Sequence, residues 1–211
     1  ALAVEASRAV RLFHPAARAA AVEAAFRAGE ILRAAGADAD ALDEFRWSAE
    51  HGEGSEFRAR ARLEIGHLFR RARRWSEALE AYLAVAGDPS ARAARRADAW
   101  LWAGTAWKAQ GRVDEARLVW QRVADEAPDP LARIQAFDEL ALLLLEADDL
   151  EGAAGVLERC TNALAERALE ETEDGERVRN ALLRMRVVDE LPRAILRRAD
   201  ARAEKGSARK S

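Results

Sequence analysis

Four alanines, Ala41, Ala78, Ala116 and Ala153, stand 37, 38 and 37 residues apart, and each sits in the same local frame. Twelve residues before them lie Gly29, Gly66, Gly104 and Ala141; four residues after them lie Phe45, Tyr82, Trp120 and Leu157. A second bulky position, three residues after each small one, holds Leu32, Phe69, Trp107 and Leu144. Self-similarity at a fixed period restricts a chain to repeat architectures, in which each unit buries its apolar face only against its neighbours.

The residues between these landmarks read as helix. Ala, Leu, Arg and Glu dominate, all good helix formers. Apolar residues recur at spacings of three and four, and no stretch alternates as a strand would. Breaks fall at His14-Pro15, Gly36, Gly52-Glu53-Gly54, Gly87-Asp88-Pro89, Gly111, Pro128-Asp129-Pro130, Asp148-Asp149, Gly175 and Pro192. Each period therefore holds two short helices. The small residues mark where the two approach closely, and the aromatics fill the space between one hairpin and the next.

Residues 97–130 carry Trp100, Ala103-Gly104, Trp107, Gly111, Ala116, Trp120, Val123 and Pro128 in order, which resembles the 34-residue tetratricopeptide repeat. The frame recurs with Ile65-Gly66, Phe69, Trp75, Ala78, Tyr82 and Val85; with Phe137, Leu140-Ala141, Leu144, Ala153, Leu157 and Cys160; and, more weakly, with Ala28-Gly29, Leu32, Ala41 and Phe45. The resemblance implies an all-α fold, an α-α superhelix of the right-handed solenoid type with capping helices at both ends. Its expected parts are an N-terminal helix or half-repeat over 1–21 and four hairpins at 22–58, 59–96, 97–133 and 134–170. Divergent capping helices over 171–204 and a disordered basic tail over 205–211 complete it. Within the ends, Val4 to Phe13 reads as a lone helix, and a long helix runs from Pro15 to about Ala35. Glu171 to Gly175 reads as an acidic loop, followed by helices over Glu176–Val188 and Leu191–Ala203.

In this family ligands lie in the concave groove lined by the first helix of each repeat. By position, the resemblance places Glu23, Phe26, Glu30 and Arg33 there from repeat one, and Arg60, Leu63, His67, Arg70 and Arg71 from repeat two. Repeat three adds Asp98, Leu101, Thr105 and Lys108, with Trp102 beside them; repeat four adds Gln135, Asp138, Leu142 and Leu145. The clamp that binds C-terminal carboxylates in chaperone-binding members is missing, because Phe26 and Glu30 stand where its first basic residue and Asn would be. Binding of heat-shock-protein tails is therefore disfavoured. His67 reads as an ordinary exposed histidine, and Trp100, Trp107 and Trp120 as packing residues.

Charge is distributed unevenly along the repeats. Residues 59–96 hold nine basic and four acidic side chains, residues 134–170 two basic and nine acidic, and residues 177–210 eleven basic and four acidic. Either these are solvated outer faces, or the opposed fields orient a partner. Around the apolar stripe of Val178, Leu182 and Met185 the arginines read as the wet side of a packed cap, rather than as a membrane or nucleic-acid surface.

The expected function is that of a scaffold binding a protein or peptide partner in the groove. The alternative is a structural subunit, an oligomerisation element or the sensing segment of a larger regulator, and homo-oligomerisation stays open. Neither a glycine-rich phosphate loop, a paired-cysteine pattern, HExxH nor G-x-S-x-G is present. The chain is thus expected to be no enzyme, with no catalytic residues, no metal and no cofactor. Its formal charge of −3 gives no general argument for nucleic acid. No apolar run approaches a membrane span. Cys160, the single cysteine, reads as a small buried hydrophobe in a reducing cytoplasm, with a periplasmic setting open if Ala1 follows a removed signal peptide. The Arg and Ala bias reads as that of a GC-rich bacterial genome.

Overall fold

The computed structural model describes residues 4, 5, 9 and 18–208, with the backbone alone beyond residue 198. Among the described residues the regular structure is helical: α1 (Arg18–Ala34), α2 (Asp38–His51), α3 (Glu56–Arg71), α4 (Trp75–Ala86), α5 (Ala93–Ala109), α6 (Val113–Glu126), α7 (Pro130–Glu146), α8 (Leu150–Leu169), α9 (Glu173–Leu183) and α10 (Arg186–Ala208). Most of the expected N-terminal helix, and the last three residues of the expected basic tail, lie outside the described residues. No helix among the described residues is long and apolar enough to cross a membrane. The chain divides into two compact units, residues 1–116 and 117–211.

The period is visible in the turns that end α1, α3, α5 and α7. One residue in each takes a positive φ: Gly36 (77°), Arg73 (57°), Gly111 (78°) and Asp148 (58°), again 37, 38 and 37 residues apart. The residue after each donates its N–H to the carbonyl five back, Ala37 to Leu32, Arg74 to Phe69, Arg112 to Trp107 and Asp149 to Leu144, all at 2.9 Å. This is the helix-ending motif in which a left-handed residue turns the chain so that its N–H groups satisfy the last carbonyls. Glycine takes that conformation without cost; Arg73 and Asp148 hold it against a penalty of about 1–2 kcal/mol.

In the first unit, the small position of each hairpin lies under the ring of its own second helix. A Cβ built on Gly29 would stand 2.6 Å from the Phe45 ring, and one on Gly66 2.5 Å from Tyr82. Both rings are fully buried. The aromatics at these positions thus close their own hairpin, over the glycine, rather than chiefly filling the gap to the next one. Ala41 and Ala78 are also fully buried. Ser48 donates from Oγ to the Val22 carbonyl at 3.1 Å, tying α2 to α1 inside the core.

In the second unit α7 and α8 pair, and α9 and α10 pack on both. Its core holds Ile134, Phe137, Leu140, Cys160, Leu164, Val178, Met185 and Val187. The start of α7 is set by Asp129, whose carboxylate accepts from the Leu131 N–H, with Pro130 in the first turn. Asp149 caps α8 by accepting from the Gly152 N–H at 2.8 Å.

The C-terminal helices depart from their expected bounds. The acidic stretch begins a helix instead of forming a loop: Thr172 accepts from the Gly175 N–H, and Glu173, Asp174 and Glu176 lie in the first turn of α9. Carboxylates there are favoured by the exposed N–H groups of a helix start. The break between the two capping helices falls at Arg184-Met185, and Pro192 lies inside α10. Proline removes one helical hydrogen bond, here at an exposed position. Residues 205–208, expected as frayed tail, continue α10.

Candidate protein-interaction faces

In the first unit α1, α3 and α5 lie side by side, and their facing side chains form a continuous polar and aromatic surface. Arg60 of α3 holds its guanidinium 4.2 Å from the Phe26 ring centroid and 5.3 Å from that of Phe57. Its Nη2 is 3.6 Å from the Glu30 carboxylate on α1. Arg33 Nε and Glu64 Oε2 stand 3.3 Å apart, an ion pair whose angles make no hydrogen bond. Burial pushes the Glu64 carboxyl up, and the nearby Arg33 charge opposes that rise. Arg71 at the end of α3 reaches Asp38 at 3.4 Å.

Between α3 and α5 the contacts become aromatic. The Arg70 guanidinium lies 4.8 Å from the centroid of Trp102. The His67 ring meets Trp102 edge to face at 5.2 Å, and its Nδ1 is hydrogen-bonded to the Tyr82 hydroxyl at 2.9 Å. His67 is half-buried rather than simply exposed. Burial, with the charges of Arg70 and Arg33 adding to it, lowers its pKa to about 4. The ring is neutral at physiological pH, so the Arg70-Trp102-His67 group is a fixed amphipathic surface in which only the guanidinium is charged.

One frame position fails as a lining position throughout. Phe26, Leu63, Leu101 and Asp138, at intervals of 37, 38 and 37, are only 1%, 6%, 4% and 7% exposed. The next residue along faces outward in their place, as Glu64 and Trp102 do in repeats two and three. Glu64 is the residue that sequence reasoning missed, although Arg60, Glu64 and His67 follow the spacing of one helix face. Of the other expected residues, Thr105 and Lys108 are half-buried on α5, where Thr105 Oγ1 donates to the Leu101 carbonyl. Asp98 lies 3.8 Å from Arg95. Leu142 and Leu145 are half-buried in the second unit. Trp120 is fully buried, whereas Trp100 and Trp107 are partly buried and pack against the first-unit core.

In the second unit the corresponding face of α7 is occupied by the chain itself. Asp138 Oδ1 accepts from the Val187 N–H at 2.9 Å and Oδ2 accepts from Arg186 Nε at 2.8 Å; Arg186 Nη2 also donates to Glu139 at 2.6 Å. Arg179 closes the far end by donating to the Ala168 and Glu170 carbonyls, at 2.6 and 3.0 Å. At this face Arg186 of the basic tail thus meets two carboxylates of the acidic fourth repeat. Cys160 is completely buried with its Sγ 3.9 Å from Met185 Sδ, and burial pushes the thiol up to about 12. Such a thiol is packing, not a nucleophile. Among the described residues no group of three His, Cys, Asp or Glu side chains could hold a metal ion.

One of the positive-φ turns, at Gly111, lies inside a family match. Residues 98–130 match the Tetratricopeptide repeat model. That segment is a tetratricopeptide repeat. The fold is shared with solved structures of low identity. MamA is 17% identical over 71% of this chain and 81% of its own, with a TM-score of 0.57. BtubC (BKLC) from P. vanneervenii is 16% identical over 82% and 74%, with a TM-score of 0.59. A Podosopora anserina putative kinesin light chain with nearly identical TPR-like repeats is 16% identical over 90% and 97%, with a TM-score of 0.54. No curated protein matches by sequence. The fold is that of the tetratricopeptide solenoids.

Proposed function

We propose that the chain is a protein-interaction scaffold that takes a partner peptide or helix along the face of α1, α3 and α5. Tetratricopeptide solenoids serve in general as interaction scaffolds, and a preformed surface spares a ligand the cost of ordering its receptor. The observation that carries the reading is the Arg70-Trp102-His67 group. Tryptophan and arginine dominate the binding energy of interfaces when they are rigid and partly desolvated, and here each is held by the other. Arg60, stacked on Phe26 and Phe57 beside Glu30, extends the same kind of surface across α1, with Arg33 and Arg71 at its margins. A cytoplasmic setting suits a chain whose only thiol is buried and unpaired.

The test is capture of partners by the wild-type chain beside Trp102→Ala and Arg70→Glu. A bound protein whose affinity falls tenfold or more in both variants supports the reading. Affinity unchanged in both would overturn it.

A second reading, assembly through the C-terminal end, is favoured by one feature. Leu183 and Leu196 are 76% and 64% exposed, with Ile195 and Val188 also open on α10. Light scattering across concentration, with Leu196→Glu as control, distinguishes this from a monomeric scaffold.

A further inference from the structure

The second unit holds a cleft of about 440 Å³ between α7 and α9, inside the about 300–1,000 Å³ typical of ligand pockets. Its floor is apolar: Ile134 and Met185 are buried, and Leu131 is half-buried beside them. Gln135 of α7 and Asn180 of α9 line opposite walls, and among the described residues neither side-chain amide has a hydrogen-bond partner. Arg177 and Arg184 form the rim. Arg184 is exposed and has no ion-pair partner among the described residues; Arg177 touches Asp174 at 3.4 Å, but both are more than half exposed, so the pair is weak.

The sign of this cleft is opposite to that of its repeat. Residues 134–170 are strongly acidic in sequence, yet Asp138, the carboxylate bordering the cleft, has one oxygen on the Val187 N–H and the other on Arg186. With that acid satisfied, the unspent charges at the rim are guanidinium groups. Their planar forks match a carboxylate, and they stand over a floor that takes an apolar side chain. The free amides of Gln135 and Asn180 each offer a donor and an acceptor to a peptide backbone.

We propose that this cleft docks an acidic segment of a protein partner. An apolar side chain sits on the Ile134-Met185 floor, and a flanking Asp or Glu carboxylate is held by Arg184 and Arg177. The site is built from other residues than the α1, α3 and α5 face, and it stands whether or not that face binds.

Three fluorescein-labelled peptides of equal length test it, carrying Asp-Leu-Glu, Lys-Leu-Lys or Asp-Ser-Glu in one Gly/Ser background. Anisotropy gives affinity, and the side-chain amide signals of Gln135 and Asn180 report the place of binding. Expected is an Asp-Leu-Glu affinity at least tenfold above both others, with both amide signals shifted. Arg184→Glu should remove that preference with only a small change in the thermal melt, since the Arg184 side chain has no partner to lose among the described residues and gives up only its place at the end of α9. Equal affinity for the three peptides, unmoved amide signals or an unaffected Arg184→Glu variant would each overturn the proposal. The peptide comparison uses wild-type protein and so does not depend on the variant folding. Loss of binding in Arg70→Glu but not Arg184→Glu would move the ligand to the first unit and likewise sink this assignment.

Discussion

Leu63 and Asp138 occupy the same frame position, one in each unit, and both are buried. In the first unit the position is filled by hydrophobic side chains, Phe26, Leu63 and Leu101, and the surface beside them is left to Arg60, Glu64, Arg70 and Trp102. In the second unit it holds a carboxylate, and the chain returns from residues 186 and 187 to satisfy both of its oxygens. A buried carboxylate without partners is too costly to persist. The substitution of Asp for Leu in a repeat frame therefore marks the place where the solenoid face is covered. Which surface a repeat leaves exposed depends on the residue at this position and on the helices that come after it in the chain.

Exchanging the two residues breaks the comparison most directly. Leu63→Asp puts a carboxylate into an apolar cluster, and an uncompensated buried charge costs about 3–5 kcal/mol. Chemical denaturation should show the loss; a stability within error of wild type would refute the role assigned to this position. Asp138→Leu restores the apolar frame residue but strands the Val187 N–H and leaves Arg186 with Glu139 alone, at about 2 kcal/mol. Its signature is local: amide exchange should quicken from Arg186 onward, while α1 to α5 keep wild-type protection.

Acid titration sharpens the same contrast, because the Arg70-Trp102-His67 surface relies on a neutral ring. The folded-state pKa of His67 lies near 4, below the ordinary 6.5 of the unfolded chain. The unfolded state thus binds the proton first, and stability falls as pH drops from about 6.5 towards about 4, then levels. The loss is on the order of 3 kcal/mol relative to His67→Gln, which cannot titrate. Parallel pH profiles of the two proteins in urea melts would contradict the placement of His67.

The smallest effect concerns a feature the units share. Arg73 and Asp148 hold left-handed backbone that Gly36 and Gly111 adopt freely. Arg73→Gly and Asp148→Gly should each stabilise by about 1 kcal/mol, read as a rise in melting temperature. Destabilisation by either would mean that its side chain contributes more than the strain it carries.

Much of the fold was legible because a repeat states its contacts several times over. The interval of 37, 38 and 37 residues reappears in the turns with positive φ, and Gly29 and Gly66 lie under Phe45 and Tyr82. The candidate faces were less legible. Family position pointed to Leu63 and Leu101, and the structure turns the adjacent Glu64 and Trp102 outward. A helix is read by its period, and a shift of one residue rotates a side chain by about 100°, enough to exchange core for surface.

What the sequence determined by itself is local: the repeat interval, the helical pairs between the breaks, and the small residues at which two helices approach closely. These depend on contacts within one period, where capping, backbone conformation and side-chain volume act over short stretches. The tertiary structure alone decided the sign and availability of the faces. Arg186 meets Asp138 across 48 residues, between a cap and a repeat that share no frame. No periodicity relates them, and only the docking of α9 and α10 on α7 converts an acidic repeat into one with a basic cleft.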